Sequence, residues 1–285
     1  MVNIITERLC SIGTALLVDL LIGDPVFPWH PVRIIGKLAQ SAETISRKLF
    51  TCEVDNPKPT YKEQQRLRFA GVLAWMLVMI PATAFPLFIH VLLNSFGYIP
   101  AILGDGIIIW ASFALKDLAL HAIKVYHALA EDKNGPPYQG RIAVAHIVGR
   151  DPEKLDTEGV ARACVESIAE SSVDSIASPL FYAILFGPWA AMAYRAINTM
   201  DSLFGHKNNR YKFFGWWAAR SDDVANFLPA RIASFLGCLC APIVGGRVGS
   251  ALNIFWHYRK AHESPNAGHP EAAYAGILHL RLGGP

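Results

Sequence analysis

The sequence predicts an all-α, polytopic integral membrane protein with about four to five membrane-embedded helical segments and cytoplasmic polar loops and helices. Three observations lead there. Hydrophobic residues make up 52% of the 285 residues and charged residues only 17%, with a mean hydropathy of +0.28, which is too apolar for an average water-soluble domain. Several apolar runs approach or exceed the length needed to cross a hydrocarbon layer. Lys and Arg are confined to particular connections between those runs. The whole chain, residues 1–285, reads as one membrane-embedded domain.

In chain order, Leu9 to Ile22 is a short first segment with Asp19 in its last turn, stopped by Asp24-Pro25 because proline cannot continue the hydrogen-bond ladder. Pro28 to Arg33 is a rigid, turn-rich strip. Ile34 to Phe50 places Ile34, Leu38, Ile45 and Leu49 at helical spacing with Lys37, Glu43, Arg47 and Lys48 between, the pattern of a surface or interfacial helix. Thr51 to Thr60 reads as loop. Phe69 to Leu93 has no Asp, Glu, Lys or Arg over 25 residues and is the clearest span. Ala101 to Leu120 forms a third segment, antiparallel to it, with Asp105 near its start.

The polar stretch His121 to Asp174 contains turns at Asn134–Pro137 and Gly149–Pro152. A helix should start at Asp156, a residue suited to capping free N–H groups, with Glu158 in its first turn. Segment four, Ser175 to Tyr194, is uncharged but broken at Gly187-Pro188, either a kinked span or two half-length helices in a re-entrant hairpin. Segment five is Ile232 to Gly246. A polar helix, Val248 to His262, and the Ser264–Glu271 motif follow.

Gly23–Arg68 carries eight Lys or Arg, Lys116–Asp174 seven, Arg195–Asp223 five and Asn94–Pro100 none. The first three therefore face the cytoplasm and the last faces outward. Both ends of segment four then lie on one side, which favours the hairpin. The net charge of +3 is too small for a nucleic-acid-binding stripe. The odd count of five cysteines, without metal spacing, suits buried apolar residues rather than a disulfide framework. The apolar run at the start lacks a small-residue cleavage site and reads as a helix, not a leader.

The chemistry lies in the polar segments. Glu166, Glu170 and Asp174 recur every four residues on one helix face, and such oxygen ligands suit Mg²⁺ shared with phosphate. Asn198 and Asp201 leave segment four together, followed by Lys207, Asn208, Arg210 and Tyr211, groups able to meet a phosphate. Arg220, Asp222, Asp223 and Asn226 form a second cluster, either a metal or amine site or the cap of segment five. Asp24, His30 and Arg33 sit just past segment one, and Ser264, Asn266, His269 and Glu271 near the end. No Walker-type loop or dinucleotide fingerprint is present, so any nucleotide site is built differently.

Several motifs, in order, carry a resemblance. Leu20–Pro25 with His30–Arg33, Ala161-Arg162 with Val165–Glu170, Asp174, Pro179–Tyr182, Asn198–Ser202, Lys207-Asn208 with Arg210-Tyr211, Phe214-Gly215, Ala219-Arg220 with Asp222-Asp223, Pro229–Arg231 and Ser264–Gly268 resemble the CbiB/CobD family of cobalamin-biosynthesis membrane proteins. The likeness runs from about residue 16 to the C-terminus and skips Thr51–Leu120. It implies adenosylcobinamide-phosphate synthase activity: an ATP-dependent, Mg²⁺-requiring amide ligation joining adenosylcobyric acid to (R)-1-aminopropan-2-ol phosphate or a related amino alcohol. The family is expected to continue for a few tens of residues beyond Leu282–Pro285.

A free carboxylate is a poor acyl donor and must be activated, for instance as an acyl phosphate, and the amine must attack deprotonated. The residues expected to serve are Glu166, Glu170, Asp222 and His30 for catalysis and Glu166, Glu170, Asp174 and Asp223 for the metal. Asp24, Arg33, Asn198, Asp201, Lys207, Asn208, Arg210, Tyr211, Arg220, Asn226, Ser264 and Asn266 are expected to bind substrate. Expected partners are the corrinoid, the amino-alcohol phosphate and membrane lipid, with no nucleic acid; a homo-oligomer is compatible with the sequence. The expected place is the inner membrane, multi-pass, with the site facing the cytoplasm. The competing reading is a non-catalytic transporter or a signalling protein of the AmpE type.

Overall fold

The computed structural model describes residues 4–25, 27–54, 57–132, 135–149 and 151–283. Asn134, Arg150 and the terminal Gly284 and Pro285, expected in turns and tail, lie outside them. The described residues form helices and turns without strands. Two compact units interleave along the chain, Met1–Phe113 with Ser178–Ala225, and Ala114–Ala177 with Asn226–Pro285. The first unit begins with α1 (Ile4–Ile22), α2 (Pro31–Leu49), α3 (Tyr61–Ser95) and α4 (Tyr98–Trp110). The second takes α5 (Leu115–Glu131), α6 (Tyr138–Ala145) and α7 (Thr157–Ser172), then a π-helical turn at Val173–Ala177. The chain returns to the first unit with α8 (Ser178–Phe186), α9 (Pro188–Phe204) and α10 (Trp216–Ala225). It closes in the second with α11 (Phe227–Leu239), α12 (Val248–Tyr258) and α13 (Gly268–Leu278).

Local chemistry sets these ends. Pro31 opens α2, its fixed φ suited to a first helical turn. α3 starts well before the apolar run because Thr60 and Glu63 form a capping box, with Glu63 Oε2 accepting from Thr60 N at 2.6 Å. The expected single segment Ala101–Leu120 is instead broken at Ala111–Ala114. There the Ser112 hydroxyl donates to the Ile109 carbonyl at 2.6 Å and competes with the helix ladder. Asp156 caps α7 as expected, its Oδ1 accepting from Gly159 N at 2.8 Å.

Segment four resolves into two helices. Gly187 sits at φ 99°, in the region that favours glycine, and Pro188 starts α9. Tyr182 stacks on Tyr194 across this turn, ring centroids 5.4 Å apart. Residues before and after Gly187 therefore meet, so the helices fold back as a hairpin rather than continue as one kinked rod.

Among the described residues, two helical stretches are long and apolar enough to cross a membrane, Tyr61–Ser95 and Tyr98–Glu131, the second interrupted by the Ala111–Ala114 turn. α3 turns Phe69, Ile80, Phe85, Phe88 and Val91 outward. α11, at 13 residues, rises roughly 20 Å, short of the roughly 30 Å of a hydrocarbon core.

The first unit's core joins α2, α3, α9 and α10 through small side chains, among them Ala39, Ala70, Ala74, Ala196 and Ala218. Small residues let backbones approach closely. At Gly71 the approach is extreme, since a Cβ there would lie 1.9 Å from the Phe214 carbonyl oxygen. The second unit has two cores. Val125, Val144, Val160, Ala163 and Cys164 join α5, α6 and α7; Cys238, Ala251, Phe255, Ala272 and Ala273 join α11, α12 and α13.

Candidate functional site

The connection after α1 is pinned by Trp110, whose indole Nε1 donates to the Gly23 carbonyl at 2.9 Å. This sets Asp24 against His30, with Asp24 Oδ1 3.1 Å from His30 Nε2. His30 is 5% exposed and packs edge-on to the rings of Phe27 and Trp110, at 5.5 and 6.3 Å. Burial pushes its imidazole below the ordinary histidine value; Asp24 pulls upward, while the charges of Arg195 and Arg33 add to the fall. His30 is therefore a neutral ring at pH 7. The tautomer that satisfies Asp24 carries its proton on Nε2 and leaves the lone pair on Nδ1.

α9 brings Arg195 and Asn198 to the same neighbourhood. Arg195 Nη1 donates to Asn198 Oδ1 at 3.4 Å, and Asn198 Nδ2 donates to Asp222 Oδ1 on α10 at 3.4 Å. Both contacts are long, and the buried Arg195 Nε has no hydrogen-bond partner. Asp24, His30, Arg33, Arg195, Asn198 and Asp222 thus form one constellation within the first unit. It holds a neutral base, a fixed carboxylate and a guanidinium with donor capacity to spare.

The rest of the expected polar island is used differently. Glu43 of α2 is 4% exposed and Arg47 5%. Arg47 Nε donates to Glu43 Oε1 at 2.9 Å, and Arg210 adds Nη2 bonds at 3.1 and 3.2 Å and an Nε bond at 3.2 Å. The Tyr211 hydroxyl lies 3.3 Å from Glu43 Oε2, and Arg47 Nη2 donates to the Arg210 carbonyl at 2.8 Å. Asn208 Oδ1 accepts from Tyr211 N at 3.0 Å. Arg210, Tyr211 and Asn208 therefore hold the loop after α9 onto α2. The expected surface face of α2 is corrected here: Glu43 and Arg47 point into the protein. Arg220 is exposed and Asp223 half-buried; burial raises the Asp223 carboxyl, with Arg220 opposing. Asp201 lies on α9, one turn beyond Asn198, and Lys207 in the exposed loop that follows.

The remaining expected residues belong to the second unit. Glu166 and Glu170 lie on α7 and Asp174 in the π-turn. Glu166 Oε1 accepts from Gly283 N at 2.8 Å. Asn226 takes the N-cap position of α11 without a side-chain capping bond and is 2% exposed. Ser264 Oγ accepts from Asn266 N and Ala267 N, both at 3.3 Å, and Asn266 Oδ1 accepts from Arg231 at 3.1 Å. Among the described residues no group of three or more His, Cys, Asp or Glu gathers to hold a metal ion.

A family model described as CobD/Cbib protein matches residues 12–285. The chain belongs to the CobD/Cbib family. It is 42% identical over 274 residues to the cobalamin biosynthesis protein CobD of Leptospira interrogans, covering 96% of this chain and 82% of that one. It is 39% identical over 268 residues to the protein of that name from Clostridium perfringens, with 94% and 80% covered. The Brucella suis protein of that name is 40% identical over 286 residues, with 98% and 82% covered. No solved structure matches the chain.

In this CobD/Cbib protein the resemblance read from the motifs holds, and three parts of the polar architecture lie outside that reading. Arg195 counts in the sequence only as one of the loop cations. Glu43 and Arg47 hide in a helix whose pattern reads as amphipathic. His269, named in the terminal polar motif but given no role, is buried with an unpartnered Nδ1.

Proposed function

We propose that this protein is a membrane-embedded adenosylcobinamide-phosphate synthase. It would join the free carboxylate of adenosylcobyric acid to the amine of (R)-1-aminopropan-2-ol phosphate or a related amino alcohol, with ATP activating the carboxylate. What carries the reading is the convergence of three separated family motifs on one constellation. Asp24 and His30 come from the first, Asn198 from the second and Asp222 from the third, and Arg195 completes the group. The family match and the curated name of its relatives support a role in cobalamin biosynthesis.

The parts divide as follows. His30 Nδ1 takes the proton from the attacking amine, while Asp24 holds the ring. Arg195 supplies the positive field for negative charge on the phosphate or the acyl oxygen. Asn198 orients Asp222. Bound Mg²⁺ would neutralise ATP phosphate charge; the carboxylates expected to hold it are Glu166, Glu170 and Asp174 within the second unit and Asp223 within the first. The apolar stretches and the cation-rich loops support an inner-membrane, multi-pass placement with the site facing the cytoplasm.

The test is direct. Purified protein in lipid nanodiscs receives adenosylcobyric acid, aminopropanol phosphate, ATP and Mg²⁺, and the corrinoid is followed by mass. Product that depends on ATP is expected; its absence with all four supplied sinks the reading. One observation favours a second reading, a transporter. His90 Nδ1 lies 2.9 Å from both carboxylate oxygens of the buried Asp105, inside the two apolar stretches. Ionisable pairs within apolar membrane-type segments are a mark of translocation paths. Corrinoid flux into liposomes without ATP-dependent product would favour it.

A further inference from the structure

The second unit contains a cavity of about 690 Å³, bounded by α11, by α12 with its C-terminal turn, and by the turn leading into α13. Its size lies within the range of small-molecule sites. Arg231, Arg259, Lys260 and His269 line it with Phe235 and Trp256, and no Asp or Glu is among its lining residues.

Its cations are set in place before any ligand arrives. The Arg231 guanidinium carbon lies 3.6 Å over the Phe227 ring, and its Nη1 donates to the Phe227 carbonyl at 2.6 Å and to Asn266 Oδ1 at 3.1 Å. The Arg259 guanidinium lies 4.0 Å over the Trp256 ring and donates to the Trp256 carbonyl. Ring faces fix a guanidinium without neutralising it. Between these charges sits His269, 5% exposed, with no hydrogen-bond partner for Nδ1. Burial first, then Arg231, Arg259 and Lys260, push its pKa down to about 4, so the ring is neutral at pH 7. A buried ring nitrogen left unpaired carries a desolvation cost, and a ligand group within the cavity would remove that cost.

We propose that this cavity binds a phosphate ester. The phosphate group would sit among Arg231, Arg259 and Lys260 and accept a hydrogen bond from His269 Nδ1, with the apolar body of the ligand against Phe235 and Trp256. Three cations around one pocket suit a group carrying close to two negative charges better than a carboxylate carrying one. The apolar wall excludes inorganic phosphate as the whole ligand. The proposal goes beyond the synthase reading, because binding here requires no turnover; Ser264, which lines the cavity, and Asn266, which holds Arg231, are shared with the residues expected to bind substrate, while Lys260 and His269 are not.

The experiment uses the full chain in phosphatidylcholine nanodiscs and titrates phenyl phosphate, with benzyl alcohol and inorganic phosphate as controls, reading saturable binding by calorimetry. Phenyl phosphate is expected to bind at least tenfold more tightly than either control. Lys260→Gln, which changes an exposed side chain, and His269→Leu are each expected to weaken it about tenfold with an unchanged melting temperature. His269→Asn, which restores a donor near the Nδ1 position, is expected to bind nearly as well as the parent. Absence of saturable binding, equal binding of benzyl alcohol, or indifference to both Lys260→Gln and His269→Leu overturns the proposal. Adding phosphatidic acid, whose phosphate is a monoester, to the discs separates the sources. Competition with phenyl phosphate identifies a lipid headgroup as the natural occupant, and absence of competition identifies a soluble phosphate ester.

Discussion

Two polar groups lie in the first unit, the Glu43–Arg47–Arg210 network and the Asp24–His30–Arg195–Asn198–Asp222 constellation. Both are built from charged residues placed among apolar ones, yet they treat hydrogen-bonding capacity in opposite ways. Around Glu43 the carboxylate receives two guanidinium groups and a phenol at 2.9 to 3.3 Å. Around Arg195 the two contacts are 3.4 Å and one buried donor is unmet. A saturated network resists rearrangement, because removing any member strands a buried charge. An under-filled one gains from an incoming anion, because that anion supplies the missing acceptor. The first arrangement has its hydrogen-bonding capacity filled and the second keeps a donor to offer.

The strongest way to break this contrast is Glu43→Ala. It leaves Arg47 buried without its carboxylate and is expected to cost about 3–5 kcal/mol of stability, measured by unfolding in mild detergent. Turnover per folded molecule should be unchanged. A loss below about 1 kcal/mol would remove the network from the scaffold. The complementary change is Arg195→Met. It should lower kcat/KM by roughly 10²–10³ while stability moves by less than about 1 kcal/mol. Parent-like turnover would show that the unmet donor serves no reacting group. Smaller again is Gly71→Ala. Its new methyl would press on the Phe214 carbonyl and disturb the ring over which Arg47 lies at 4.3 Å. About 1–3 kcal/mol should be lost, read as a lower melting temperature, again with turnover per folded molecule intact. If instead activity falls while melting is unchanged, the two groups are coupled and the contrast fails.

These groups were not equally legible in the sequence. Local signals survived well. Asp156 caps its helix, Gly187-Pro188 breaks segment four into a hairpin, and Phe69–Leu93 lies inside one long helix, because capping, backbone freedom and apolar runs act over a few residues. The break at Ser112 was missed because the hydroxyl competes with the backbone only weakly and leaves no pattern. Asp24, His30, Asn198 and Asp222 stand out in the sequence through their motifs, and the structure places Asp24 against His30 and Asn198 against Asp222. Glu43 was hidden because its partner Arg210 lies 167 residues away, and a buried ion pair leaves the same helical spacing as a solvated face. Arg195 was hidden because a single cation at the end of an apolar segment is normally a topological marker. Periodicity gives the face a residue occupies; only tertiary packing decides what stands opposite.

The finest test of the open constellation is the proton on His30. If the neutral ring accepts the amine proton, kcat/KM must fall at acid pH as the ring becomes protonated. Burial already holds that titration below the ordinary value of 6.5, with Asp24 raising it and Arg195 and Arg33 lowering it. Asp24→Asn removes the attraction for imidazolium, so the His30 pKa falls further and the acid limb moves to lower pH. Arg33→Gln removes a repulsion, so the pKa rises and the limb moves to higher pH. A displacement of one pH unit corresponds to about 1.4 kcal/mol between the two protonation states. The opposite signs matter more than the sizes, because a general loss of structure would move both variants the same way. Limbs that stay fixed in both would take His30 out of proton transfer and leave Asp222 as the base to examine.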